Sequence, residues 1–126
     1  MKTVVITGST RGIGRGLAEN FLQRGCAVVI SGRQQEAVDR VVEDLSQHHD
    51  AERITGQACE ITETEQLQAL WDKAAGHFGQ VDIWINNAGV SAPRKPLAET
   101  DPEIISRVVD INLSGLLLAN SVALRG

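Results

Sequence analysis

The sequence predicts an α/β fold built on a parallel sheet with helices on both faces, and three observations carry that prediction. Short β-branched runs alternate with longer stretches whose apolar residues recur at helical spacing, the pattern of βαβ units. The strand-like runs are apolar without strict alternation, as strands covered on both faces require. A glycine-rich turn, GSTRGIG (8–14), stands where the first strand hands over to the first helix. With 126 residues, 42% of them hydrophobic and 22% charged, the chain reads as one domain, 1–126, able to bury roughly two-thirds of its unfolded surface.

The elements follow in order. TVVI (3–6) is the first strand, and Ile13, Leu17, Ala18, Phe21 and Leu22 make the apolar stripe of the helix behind it. AVVI (27–30) is the second strand, followed by a helix whose stripe is Ala37, Val38, Val41, Val42 and Leu45. RITGQA (53–58) is a third strand that Gly56 and Gln57 interrupt. The next helix carries Leu67, Leu70, Trp71, Ala74, Ala75 and Phe78; Thr62 with Glu65 reads as a capping box at its start, and Gly79 ends it. VDIWI (81–85) is the fourth strand, and residues 90–101, with Pro93 and Pro96, form a loop. A last helix starts after Pro102, with Gly115 as the place for a kink. The strand order expected is 3-2-1-4, which leaves the fourth strand as a bare apolar edge. The last helix spreads Ile104, Ile105, Val108, Val109, Leu113, Leu116, Leu117 and Leu118 around much of its circumference, so a partner surface or more of the fold is expected to cover it.

Charge and composition exclude several functions. A net charge of -4 gives no global attraction to nucleic acid or to an anionic membrane, so any anion site must be local. Cys26 and Cys59 are too few for a disulfide framework and read as buried free thiols, which points to a reducing cytoplasm. The opening MKTVVITG breaks its apolar run after three residues and predicts neither export nor anchoring. His48, His49 and His77 fall on helix ends or loops and are expected at the surface, and no metal-ligand spacing is present.

The glycine turn sits at the carboxyl end of the first strand, where parallel sheets bind ligands. Gly8 lets the chain reverse, Gly12 removes a Cβ where backbone approaches a ligand, and Gly14 allows close helix packing. A row of N–H donors at the positive end of a helix dipole remains, and it suits a pyrophosphate. A carboxylate at the end of the second strand would bond a ribose 2′-hydroxyl and repel a 2′-phosphate. Here Gly32 takes that place and Arg33 follows, nineteen residues after Gly14 (33 − 14). Arg33 and Arg11 together suit a phosphate on the ribose, the alternative for each being a solvated surface charge.

Three motifs share a further likeness. Gly-x-x-x-Gly-x-Gly after Thr7, INNAG (85–89) and DINLSG (110–115) resemble the short-chain dehydrogenase/reductase family over essentially the whole chain. The resemblance implies a Rossmann-type sheet and an oxidoreductase acting on a carbonyl or alcohol with NADP(H), NAD being less favoured. It implies cofactor contacts from Gly8, Ser9, Arg11, Gly12, Ile13, Gly14 and Arg33, with Asn86, Ala88 and Gly89 beside the ribose. Glu60 stands where the family usually has an adenine-contacting aspartate, and is otherwise a helix-leading carboxylate. Asn112 takes the place of the family's catalytic asparagine, or else is an Asn bonding backbone within a kinked helix.

The family's proton donor is a tyrosine activated by a lysine, with a serine holding the carbonyl oxygen, and these lie downstream of the last helix. The 126 residues contain no tyrosine. The reading is therefore a cofactor-binding N-terminal portion, inactive alone, expected as a homo-oligomer or paired with a complementary chain. The alternative is a non-catalytic dinucleotide-binding or regulatory module acting through a partner.

Overall fold

The computed structural model describes residues 1–90, 92 and 94–126; Pro93 of the expected loop lies outside them. Four parallel strands, β1 (Thr3–Ile6), β2 (Ala27–Gly32), β3 (Ile54–Ala58) and β4 (Ile83–Ile85), form one sheet in the order β3-β2-β1-β4. The register pairs Val5 with Val29 and with Trp84, and Val29 with Thr55. Helices α1 (Gly12–Gln23), α2 (Gln35–Ser46) and α3 (Thr64–Phe78) alternate with the strands. After β4 come α4 (Pro102–Val109) and α5 (Leu116–Arg125).

Alternate side chains of each strand point to opposite faces, and this divides the core in two. Val4, Ile6, Val28 and Ile30 meet Ala18 and Leu22 of α1 and Val38 and Leu45 of α2 on one face. Val5 and Val29 meet Leu67, Leu70 and Ala74 of α3, and Ala119 and Val122 of α5, on the other. All six strand residues are fully buried, which explains why β1 and β2 carry no polar alternation. Arg53 ties the layers together by donating to the carbonyls of Leu22 and Cys26 at 3.0 and 2.8 Å, next to the C-terminus of α1 where a cation is favoured.

Several expectations change. Ile13 belongs to no apolar stripe: it is 77% exposed, because the first turn of α1 overhangs the sheet end. The capping box at residues 62–65 does not form, since α3 begins at Thr64 with Glu63 as an N-cap making no side-chain bond, and the Thr62 hydroxyl donates to Glu60 instead. The expected loop contains a short 3-10 turn, Leu97–Glu99. His49 is not on the surface: its side chain is 12% exposed and its Nε2 is buried without a hydrogen-bond partner, 4.0 Å from the Glu19 carboxylate.

The last helix runs continuously over Pro102–Arg125, with a π-helical turn at Asp110–Gly115 where a kink was expected. It has the length and apolar character of a membrane span, yet Ile111, Ala119 and Val122 are buried in the core beside α3. Leu113 and Leu117 stay more than half exposed on its outer side.

Candidate functional site

The carboxyl ends of β1 and β4 are locked together. The backbone N–H groups of Asn87 and Ala88 both donate to the Thr7 hydroxyl at 3.0 Å, and the Asn87 side-chain amide donates to the Gly8 carbonyl at 3.0 Å. Gly8 has φ +62, and a Cβ there would lie 2.8 Å from the Ala88 Cα, so only glycine fits between the two strand ends. The chain then crosses toward β2, where the Ser9 hydroxyl donates to the Ile6 carbonyl at 2.7 Å and accepts from the Ser31 N–H at 2.8 Å.

From this braced turn α1 starts with its donors free. Its N-cap, Arg11, is extended and makes no side-chain cap, and no acidic residue stands in the first turn. The bond from the Arg15 N–H to the Arg11 carbonyl, at 3.3 Å, closes the first turn and leaves the amides of residues 12–14 without an intrahelical acceptor.

A cleft of about 590 Å³ opens before these amides, between α1, the end of β2 and the β4 end. Its charge runs against that of the chain: among the described residues Arg11, Arg15, Arg33 and Arg40 border it, with Glu60 as the one carboxylate, although the whole chain carries -4. Its inner part is apolar, formed by Cys59, Ile61, Ala88, Val90 and Ile111. Gly32 ends β2 and Arg33 follows it, so no carboxylate stands at this edge, and a Cβ on Gly32 would meet the Thr10 side chain at 2.7 Å. A second hollow of about 530 Å³ adjoins through Arg33, Glu60 and Ile111.

Burial pushes the Cys59 thiol up to about 12, with the neighbouring Glu60 charge adding to the effect. The thiol is therefore a neutral, weakly nucleophilic part of the apolar wall. Among the described residues no group of His, Cys, Asp and Glu is placed to hold a metal ion. The cleft brings together amide donors, guanidinium cations and apolar side chains. That combination suits an elongated phosphate-bearing ligand with a flat apolar ring.

The sequence matches the short chain dehydrogenase family over residues 2–126. The chain belongs to the short-chain dehydrogenase family. Among curated members it is 42% identical over 116 residues to the chloroplastic chlorophyll(ide) b reductase NOL of Oryza sativa subsp. japonica, spanning 91% of this chain and 34% of the relative. It is 33% identical over 122 residues to the 3alpha-hydroxysteroid dehydrogenase of Mediterraneibacter gnavus, spanning 97% and 48%. The chain thus covers less than half the length of these relatives. Among solved structures it superposes on a short chain dehydrogenase from Mycobacterium smegmatis with TM-score 0.90 and 28% identity, covering 98% of this chain and 50% of that one. It also superposes on an actinorhodin polyketide ketoreductase variant with NADPH, with TM-score 0.88 and 27% identity, covering 98% and 46%. The fold is Rossmann-like, with the expected strand order.

Within this short-chain dehydrogenase the structure gathers Gly8, Arg11, Gly12, Ile13, Arg33, Glu60, Ala88 and Gly89 around the cleft, while Ser9, Gly14, Asn86 and Asn112 do not line it. Ser9 is fully buried, and its hydroxyl and N–H are spent on Ile6 and Ser31, so it braces the turn and offers nothing to a ligand. Gly14 is buried because a Cβ would collide with the Gly8 carbonyl and sit 2.6 Å from the Asn87 amide. Asn86 turns away, accepting from the Trp84 indole at 2.9 Å and donating to Asn120 on α5. Asn112, inside the π-helical turn, accepts from the Val90 N–H at 2.8 Å and donates to the Val90 carbonyl at 2.6 Å. Arg15 and Arg40 were missed, because on amphipathic helices they read as solvated positions. The usable signal was their place on facing helix edges.

Proposed function

We propose that this short-chain dehydrogenase binds NADP(H) in the cleft and serves hydride transfer between the nicotinamide and a carbonyl or alcohol. The observation that carries the cofactor preference is the end of β2, where Gly32 and Arg33 replace a carboxylate by a cation beside Arg11. The residues fit the group: the amides of residues 12–14 would face the pyrophosphate, Arg11 and Arg33 the 2′-phosphate, and Ile61, Ala88 and Ile111 the adenine, with Glu60 at its edge. When bound, the nicotinamide supplies the hydride. The chain's own part is to fix the phosphates, exclude water from the apolar slot and hold the β4 end in place through Asn87 and Asn112. Asn112 is thus read as positioning Val90 beside the cofactor, in addition to the catalytic place that the family gives it.

The name of the rice relative supports a reductase, of chlorophyll(ide) b in that protein, and that of the Mediterraneibacter gnavus one a dehydrogenase, of a 3alpha-hydroxysteroid in that protein. Both fit one reaction class, so the class is what we propose. The exposed leucines at 113, 116 and 117 support coverage of the last helix by another apolar surface, in keeping with a homo-oligomer.

The test is a pair of dissociation constants, for NADPH and NADH, measured on the wild-type chain and on Arg33→Ala. Loss of one charge-assisted phosphate contact, about 1.5–3 kcal/mol, predicts roughly a 10- to 100-fold weaker NADPH with NADH little changed. Equal weakening of both would contradict the role given to Arg33.

A further inference from the structure

We infer that Arg40 is a third determinant of 2′-phosphate selection, delivered from α2; this rests on the NADP(H) reading above. Ala37, Arg40 and Val41 of α2 all border the cleft, at the three- and four-residue spacing of one helix face. One turn further on, Asp44 accepts from Arg15 of α1 at 3.5 Å, which fixes that edge of α2 against α1. Arg40 therefore stands on the α2 edge turned to the gap between the helices, one turn nearer the strand ends. Val41 is 3% exposed and anchors the backbone on the sheet, while Arg40 is exposed at the rim.

The two helix arginines differ in their partners. Arg15 is engaged by Asp44, whereas among the described residues Arg40 has no carboxylate within 4.0 Å. Arg40 borders the same cleft as Arg11 and Arg33 with no carboxylate of the described residues in ion-pair contact, so its guanidinium is open to a phosphate monoester. Such a group carries close to two negative charges and three acceptor oxygens, and two guanidinium forks, which balance the charge, leave acceptor sites on those oxygens for a third. Arg11 and Arg33 stand outside regular elements, in the turn and in the β2–α2 connection, while Arg40 is rooted on a packed helix. Its stem is aimed before the ligand arrives, and less freedom is lost on contact.

The test measures NADPH and NADH dissociation constants for wild type, Arg40→Gln and Arg40→Lys at low and high salt. We expect Arg40→Gln to weaken NADPH about tenfold while NADH stays within about twofold, and to flatten the salt dependence of NADPH binding. Arg40→Lys should recover part of the loss, since it keeps the charge without the planar fork. A wild type that prefers NADPH, with that preference unchanged in Arg40→Gln, would overturn the Arg40 assignment and leave the cofactor reading intact. Equal weakening of both dinucleotides would make Arg40 structural and overturn it likewise. A wild type without NADPH preference would overturn both.

Discussion

The Asn87 side chain donates to the Gly8 carbonyl at 3.0 Å, joining residues 79 apart in sequence and making the end of β4 the clamp on the glycine turn. Asn87→Ala removes that donor and leaves the Gly8 carbonyl half-buried without it. The expected cost is about 1–3 kcal/mol, read as a lower urea midpoint, together with weaker dinucleotide binding because the amides of residues 12–14 lose their fixed aim. Unchanged stability in this variant would show that the Thr7 bonds alone hold the two strand ends.

Ser9 provides the complementary case. Its hydroxyl is fully buried and serves both Ile6 and Ser31. Ser9→Ala leaves the Ser31 N–H without its acceptor, and about 1–3 kcal/mol of stability is expected to go. Dinucleotide affinity, measured at a temperature where the variant stays folded, should fall far less than in Arg33→Ala. A loss of affinity as large as that of Arg33→Ala would return Ser9 to the binding set.

Two neighbouring glycines make opposite predictions. A Cβ on Gly14 collides with the Gly8 carbonyl, so Gly14→Ala is expected to cost about 3 kcal/mol or more and to abolish binding. Gly16, one half-turn on, has open space around its Cβ position, and Gly16→Ala should raise stability by about 0.5–1 kcal/mol through helix propensity. Thermal unfolding of the two variants side by side checks both signs.

The raised Cys59 thiol gives a pH dependence. Below pH 9 the thiol is protonated in both folded and unfolded chains, so its contribution is constant. Between 9.0 and about 12 the unfolded chain loses the proton that the folded one keeps, the unfolded state binds fewer protons, and stability falls. The slope from this group is at most about 1.4 kcal/mol per pH unit. Urea titrations from pH 8 to 10.5 should show a shallower decline for Cys59→Ala than for wild type, which isolates this thiol from the lysines that titrate alongside it.

Much of this was legible in the residues, for reasons particular to each element. The apolar runs of β1 and β2 name buried strands because no polar side chain interrupts them. Gly79 ends α3 in a left-handed cap, φ +88, as its position after Phe78 predicted. Gly56 weakened the third strand as a pattern, yet in the fold it is what admits Val38 and Val42 of α2, whose methyl groups lie 2.5 and 2.9 Å from where a Cβ would be. Helical periodicity misassigned Ile13, since it counts faces and does not know where the sheet stops. For Asn112 the sequence left a backbone-bonding role open beside the catalytic one, and the bonds to Val90 show the first; which partners Asn86 and Asn112 reach depends on long-range contacts such as Asn120 and Val90, which the sequence pattern does not carry. Arg40 escaped because the cleft that it borders is formed together with residues distant in sequence, such as Gly12 and Ala88.

The account stands on the dinucleotide lying across the start of α1, and amide chemical shifts of the ¹⁵N-labelled chain titrated with NADPH test it most directly. The largest changes are expected at residues 11–14, at Arg33 and at residues 88–90, with NADH moving Arg33 much less. Saturable changes confined to other residues, or none at millimolar NADPH, would contradict it.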